Sequence, residues 1–148
     1  MNRIHFLCKS TAACVLSVFL PACGSITPEW NRARTAAADP FAGQWDGKWS
    51  SAKRPGEGGQ LRCVFTPVDP THYRAAFEAH WKVFKTSYSA DLETKRHGKQ
   101  LAIQGTHLLP AVFGGLYRYH GVVTADRFFA NYDSSYDRGT FEMTRPKP

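Results

Sequence analysis

From Gly43 to Arg145 the chain alternates apolar and polar residues in short runs broken by Gly, Pro, Asp and His-Gly, with no apolar stripe at helical spacing. A period of two sends successive side chains to opposite faces of an extended chain, so such runs fold as strands with one face to bury. The spacing predicts strands over 43–50, 60–67, 72–83, 86–95, 99–107, 114–124, 126–134 and 138–145. The inner parity holds Trp45 and Trp49; Leu61, Cys63 and Phe65; Tyr73, Ala75, Phe77, Ala79 and Trp81; Tyr88, Ala90 and Leu92; Leu101 and Ile103; Tyr117, Tyr119 and Gly121; Phe128 and Tyr132; Phe141 and Met143. Lys48, Arg62, His72, Arg74, Glu78, His80, Glu93, Arg118, His120 and Glu142 take the other, wet parity.

Eight strands with one apolar face leave that face and two sheet edges to protect, and closure into a barrel removes both problems. Arg96-His97-Gly98-Lys99, Ala125-Asp126 and Ser135-Tyr136-Asp137 read as tight turns between neighbours, and no crossover helix is present to make parallel pairs. The expected fold is all-β, an eight-stranded antiparallel up-and-down barrel. Arg54 to Gly59 reads either as a lid over the barrel mouth or as a plain turn. Its glycines precede a strand, where a phosphate-cradling loop needs a helix N-terminus.

The chain before this domain has a different character. Arg3 and Lys9 lead into an apolar stretch, residues 11–20, too short to span a bilayer and closed by Pro21. This is the pattern of an export signal. Leu20-Pro21-Ala22-Cys23 resembles the lipobox of bacterial lipoproteins, although Pro21 stands where a small residue is usual. The resemblance implies removal of residues 1–22, lipidation of Cys23 and a protein fixed to a membrane. Gly24, where an inner-membrane retention signal has Asp, implies the outer membrane in a cell that has one. Residues 23–42, with Thr27-Pro28, alanines at 36–38 and Asp39-Pro40, read as a lipidated tether in which only a short, marginal helix has room to form. Trp30 is expected to rest on the membrane interface or on the domain. The barrel domain is then 43–148.

Removal of Arg3 and Lys9 with the signal leaves 17 Lys and Arg against 12 acids, a net charge of +5. A cationic excess of this size favours anionic surfaces without selecting a site. Export and the scatter of the cations speak against nucleic acid. Cys8 and Cys14 leave with the signal and Cys23 takes lipid, so Cys63 stays alone and no disulfide forms within the mature chain. Flanked at its own parity by Leu61 and Phe65, Cys63 reads as a buried apolar residue.

Gly43-Gln44-Trp45 and Gly47-Lys48-Trp49 resemble the Gly-x-Trp signature of lipocalins. There the tryptophan plugs the closed end of an eight-stranded barrel, and an arginine near the last strand packs on it. The likeness implies a structural role for Trp45 and Trp49, and either Arg138 or Arg145 as that arginine. Leu61-Arg62-Cys63, residues 113–119 and residues 136–143 are also similar to a group of predicted bacterial lipoproteins, a likeness that implies no activity.

His72, His80, His97, His107 and His120 remain after export, without the close pairing of a helical zinc motif. His72 and His80 lie roughly 27 Å apart on an extended strand. No metal site and no cofactor is expected. No nucleophile elbow is present; Asp133, Asp137 and Glu142 cluster near the end of the chain, where paired carboxylates could do glycosidic chemistry, but Asp133 and Asp137 read first as turn-shaping residues, so no enzyme is expected. Tyr73, Tyr88, Tyr117, Tyr119 and Tyr132 alternate on the inner parity with Ala75, Ala79, Ala90, Gly105 and Gly121. With Trp81 they form the candidate ligand-binding set, because hydroxyls inside a barrel need partners. The expected function is binding of a small apolar or amphipathic ligand by a membrane-anchored envelope lipoprotein. The alternative is a filled barrel that engages an envelope protein, as small barrel lipoproteins that inhibit lysozyme do, although those carry a disulfide that is absent here.

Overall fold

Each predicted run becomes a strand, and each strand pairs with the next. The computed structural model describes residues 25–33 and 38–147; the expected export signal, residues 1–22, and Cys23 lie outside the described residues. The strands are β1 (Gly43–Ser51), β2 (Gly58–Asp69), β3 (His72–Trp81), β4 (Phe84–His97), β5 (Gln100–Leu108), β6 (Leu116–Val123), β7 (Arg127–Asp133) and β8 (Arg138–Thr144). All neighbours are antiparallel, and β1 pairs with β8 from Asp46–Thr144 to Ser51–Gly139, closing an up-and-down barrel.

The boundaries shift where backbone geometry overrides pattern. β2 starts at Gly58, two residues early, because Gly58 and Gly59 pair with Ser50 and Trp49. A Cβ on Gly59 would run into the His80 carbonyl oxygen, so only glycine lets β1, β2 and β3 converge there. β3 stops at Trp81, short of the expected residue 83. Lys82, the one non-glycine residue with positive φ (54°) among those described, starts a two-residue turn into Phe84. β6 begins at Leu116 because Gly114 and Gly115, at φ 106° and 68°, belong to the preceding loop.

Inside, one continuous core runs through Trp45, Leu61, Cys63, Phe65, Phe77, Leu92, Phe128 and Met143, all 1% exposed or less, with Ile103, Tyr119 and Phe141 beside them. Phe77 sits at its centre, with ring centroids 5.3–6.4 Å from Tyr88, Tyr119, Phe128 and Phe141. Cys63 is fully buried, and desolvation pushes its thiol well above the ordinary value. Cys63 is therefore expected to react with a maleimide at neutral pH only as fast as the barrel opens; the labelling rate of a free thiol in native buffer would contradict this placement.

One end is shut. Phe41, 1% exposed, closes it together with Trp45, whose indole N–H donates to the Phe41 carbonyl at 3.0 Å. The Arg145 guanidinium lies 3.8 Å from the Trp45 ring centre and donates to the carbonyls of Ala42, Gln44 and Pro40. Between the two arginines left open by the sequence, the structure thus selects Arg145. Trp49 takes a different place: half-buried towards the other end, it donates its indole N–H to the His80 carbonyl at 2.9 Å.

The outer wall is not uniformly wet. A one-and-a-half-turn helix, α1 (Thr27–Arg32), lies against β2 and β3, where Ile26 covers Val64 and Ala76 and leaves all three buried. Glu78, assigned to the wet parity, is nonetheless 3% exposed, paired with Lys85 at 3.0 Å and His80 at 3.4 Å. Trp30 rests on the domain, with the Arg62 guanidinium 5.2 Å from its ring centre and Gln44 donating to its carbonyl. Much of the described part of the 23–42 stretch is therefore seated on the barrel. Alternation could not show this, because it reports which side a residue faces and not what covers that side.

Candidate functional site

The end opposite Trp45 is ringed by the β1–β2 loop, the Lys82-Val83 turn, the β5–β6 loop with a 3-10 turn at Ala111–Phe113, and the Ser134–Asp137 turn. Just inside, aromatic rings stack from strand to strand. Tyr117 lies 6.3 Å from Tyr119 and 6.0 Å from Tyr132 between ring centres, Tyr132 lies 5.0 Å from Phe141, and Tyr88 stacks on the His107 imidazole at 5.2 Å. Four of the six candidate ligand-binding residues, Tyr88, Tyr117, Tyr119 and Tyr132, thus meet in the open half of the lumen. Tyr119 and Tyr132 are buried as its floor, while Tyr88 and Tyr117 keep part of their surface accessible.

The remaining two are elsewhere. Tyr73 stacks on Phe65 near the closed end, its hydroxyl bound to Asp39, and burial followed by that carboxylate pushes its pKa up to about 12. Trp81 falls at the last position of β3, on the rim, stacked on Phe84 at 6.0 Å and outside the core. The strand turns at the next residue, so inward parity no longer places a side chain in the lumen.

Asp137 organises the mouth. Although it belongs to a turn, it is 3% exposed and accepts hydrogen bonds from the Ser51 hydroxyl at 2.7 Å and the Tyr132 hydroxyl at 2.9 Å. Arg54 reaches it at 3.4 Å from the β1–β2 loop, while also pairing with Glu57 at 3.2 Å and lying over the Tyr136 ring at 4.9 Å. Burial alone would raise the Asp137 pKa; the bonds from Ser51, Tyr132 and the Arg138 N–H, with the charge of Arg54, outweigh it and hold the carboxyl below its ordinary value. Tyr132 is pushed the other way, by desolvation first and then by the carboxylate it donates to. His107 is lowered by desolvation, against a small pull from Asp91, and is neutral at pH 7.

The loop between Arg54 and Gly59 is thus tied through Arg54 to the neighbouring β7–β8 turn at the rim of the mouth. A depression of about 380 Å³ beside it, lined by Lys48, Trp49, Ser51 and Glu57, is open to solvent. Asp133 and Glu142 stay exposed, away from the buried Asp137, so the three acids do not converge. Among the described residues no group of three or more His, Cys, Asp or Glu is arranged to hold a metal ion.

Above the tyrosines the rim is apolar and exposed: Val83 (90%), Val112 (76%), Leu108 (72%), Phe84 (64%), Tyr136 (57%) and Leu116 (41%). Sequence reading missed this crown, as it missed the pairing of Arg54 with Asp137 and the stacking of His107 on Tyr88. The signal was there in Trp81-Lys82-Val83-Phe84, since hairpin tips are ordinarily polar or glycine-rich.

No protein-family model and no curated protein matches the chain. A solved structure of a de novo designed fluorescence-activating β-barrel is similar to it, with 18% identity over 74% of this chain and 97% of that one, at a TM-score of 0.49. At that level of likeness nothing about a ligand passes from one chain to the other.

Proposed function

We propose that this chain is an exported envelope lipoprotein, anchored through Cys23, whose barrel serves as a filled scaffold that presents its open end as a recognition surface. The observation that carries the reading is the apolar crown. Six exposed large apolar side chains gather on the turns and loops of one end, above a lumen already occupied by aromatic rings. Exposed apolar surface that contributes nothing to the core is retained where it meets another surface. The core beneath it fills the barrel with its own side chains, as eight strands permit.

A second reading is favoured by a different observation. Tyr117 keeps accessible surface above a buried tyrosine floor, which suits a small amphipathic ligand seated in the mouth rather than deep in the barrel. Native mass spectrometry of the mature protein, purified from the envelope of its own host, separates the two. The filled-scaffold reading expects the mass of the lipidated chain and nothing else. A small molecule that travels with the folded protein and is lost on denaturation overturns it in favour of the ligand reading. Neither reading assigns a reaction to the site.

A further inference from the structure

The described chain begins beside the crown. The Ser25 hydroxyl donates to Glu78 Oε2 at 3.4 Å, and the same oxygen accepts the Lys85 ammonium at 3.0 Å. Ser25 is thereby held next to the first residues of β4, on the outer wall of the Trp81–Phe84 hairpin. From there α1 runs along the barrel towards the closed end, where the Ala33 carbonyl approaches Gly43. Ser25 is only two residues from Cys23, and two residues span at most about 7 Å. From the Glu78–Ser87 pair to the hairpin tip is three further residue pairs, roughly 10 Å. An anchor at Cys23 is therefore confined to the flank of this hairpin and has no long free tether to swing on.

The hairpin has the chemistry of a bilayer interface. Trp81 and Phe84 stack on each other, Val83 projects between them at 90% exposure, and the Lys82 ammonium lies 4.7 Å from the Trp81 ring centre. Tryptophan beside lysine over an aliphatic tip is suited to the headgroup level, where the ring is half solvated and the ammonium meets phosphate. Three acids at this end are paired, Glu57 and Asp137 with Arg54 and Glu78 with Lys85, while Asp133 at the end of β7 stays exposed. Lys53 and Lys82 stand on the same rim without a carboxylate partner among the described residues, a balance that suits an anionic surface.

We propose that the Trp81–Phe84 hairpin is a membrane-docking element, which seats the open end of the barrel on the phospholipid surface that holds the Cys23 anchor. The proposal rests on the lipoprotein reading and names the surface that the crown meets. It makes the protein an oriented body on the membrane, with its mouth towards the lipid and its Trp45 end away from it.

The test uses the full chain, processed by a lipoprotein-exporting host and reconstituted into phosphatidylethanolamine–phosphatidylglycerol vesicles containing brominated acyl chains, which quench tryptophan at short range. The expected result is a quenched emission component that is lost in Trp81→Phe, a change that keeps the aromatic contact while removing the probe. It is also lost in Val83→Asp, which leaves the core untouched. Circular dichroism of both variants establishes that the barrel is intact. The mass of the mature protein is read in parallel. A lipid-bearing mass with Trp81 unquenched overturns docking while leaving the anchor standing, whereas a lipid-free mass overturns the anchor and the docking with it. Trp81 shielded from aqueous iodide yet untouched by bromolipid also overturns the proposal, and places a protein on the crown.

Discussion

Trp45→Ala is expected to lower the unfolding free energy by about 3–5 kcal/mol, the range for removing a large aromatic side chain from a packed core. The site has little freedom to collapse. Trp45 is wholly buried, meets Phe128 edge to face at 5.8 Å, and is fixed from outside by the Phe41 carbonyl and the Arg145 guanidinium. Its loss also removes the surface on which Arg145 lies, so the arginine that ties residues 40–44 to the end of β8 loses its stacking partner while keeping its carbonyl bonds. The check is a urea titration followed by circular dichroism, comparing the midpoint at unchanged slope. Trp49→Ala, at a half-buried position with one hydrogen bond to His80, is expected to cost distinctly less in the same titration. Equal effects would mean that the two Gly-x-Trp motifs share the plugging role, against the geometry.

Asp137→Ala is expected to cost about 2–4 kcal/mol at neutral pH by a different route. No large cavity opens, but the Ser51 and Tyr132 hydroxyls lose a charged acceptor in a buried site, and Arg54 loses its inner partner. The contribution depends on pH in a fixed direction. The carboxyl is held below the ordinary aspartate value of 3.8 in the folded protein, so it stabilises the fold fully above that value, and its contribution is lost as pH falls through the lower, folded-state value. The stability gap between the wild type and Asp137→Asn should therefore be widest near neutral pH and close progressively below pH 3.8. A gap that held constant down to about pH 2, measured by urea titration at each pH, would show that the carboxylate charge does not hold the mouth together. Because Arg54 binds the same group, the variant should also free the β1–β2 loop from the rim, seen as faster amide exchange in residues 52–57.

The barrel was legible because alternation is a direct imprint of a two-sided strand, and the eight runs were separated by residues that end strands. Tyr88, Tyr117, Tyr119 and Tyr132 were legible for the same reason: parity alone sends them inward. Height along the barrel was not legible, so Tyr73 was grouped with tyrosines that lie at the other end. That coordinate depends on the direction of each strand and on the stagger between neighbours, which only closure sets.

What the amino-acid sequence determined by itself was the strand count and, Trp81 apart, the inward set, because both follow from local periodicity. The tertiary structure alone decided that Arg145 rather than Arg138 covers Trp45, that Asp137 is drawn inward by Ser51 and Arg54, and that Ile26 covers Ala76 on the outer wall. It also gathered the apolar tips of separate hairpins into one crown. Those are contacts between residues from about 50 to 100 positions apart, and their partners are chosen by barrel closure and strand register, quantities that no short window of sequence contains.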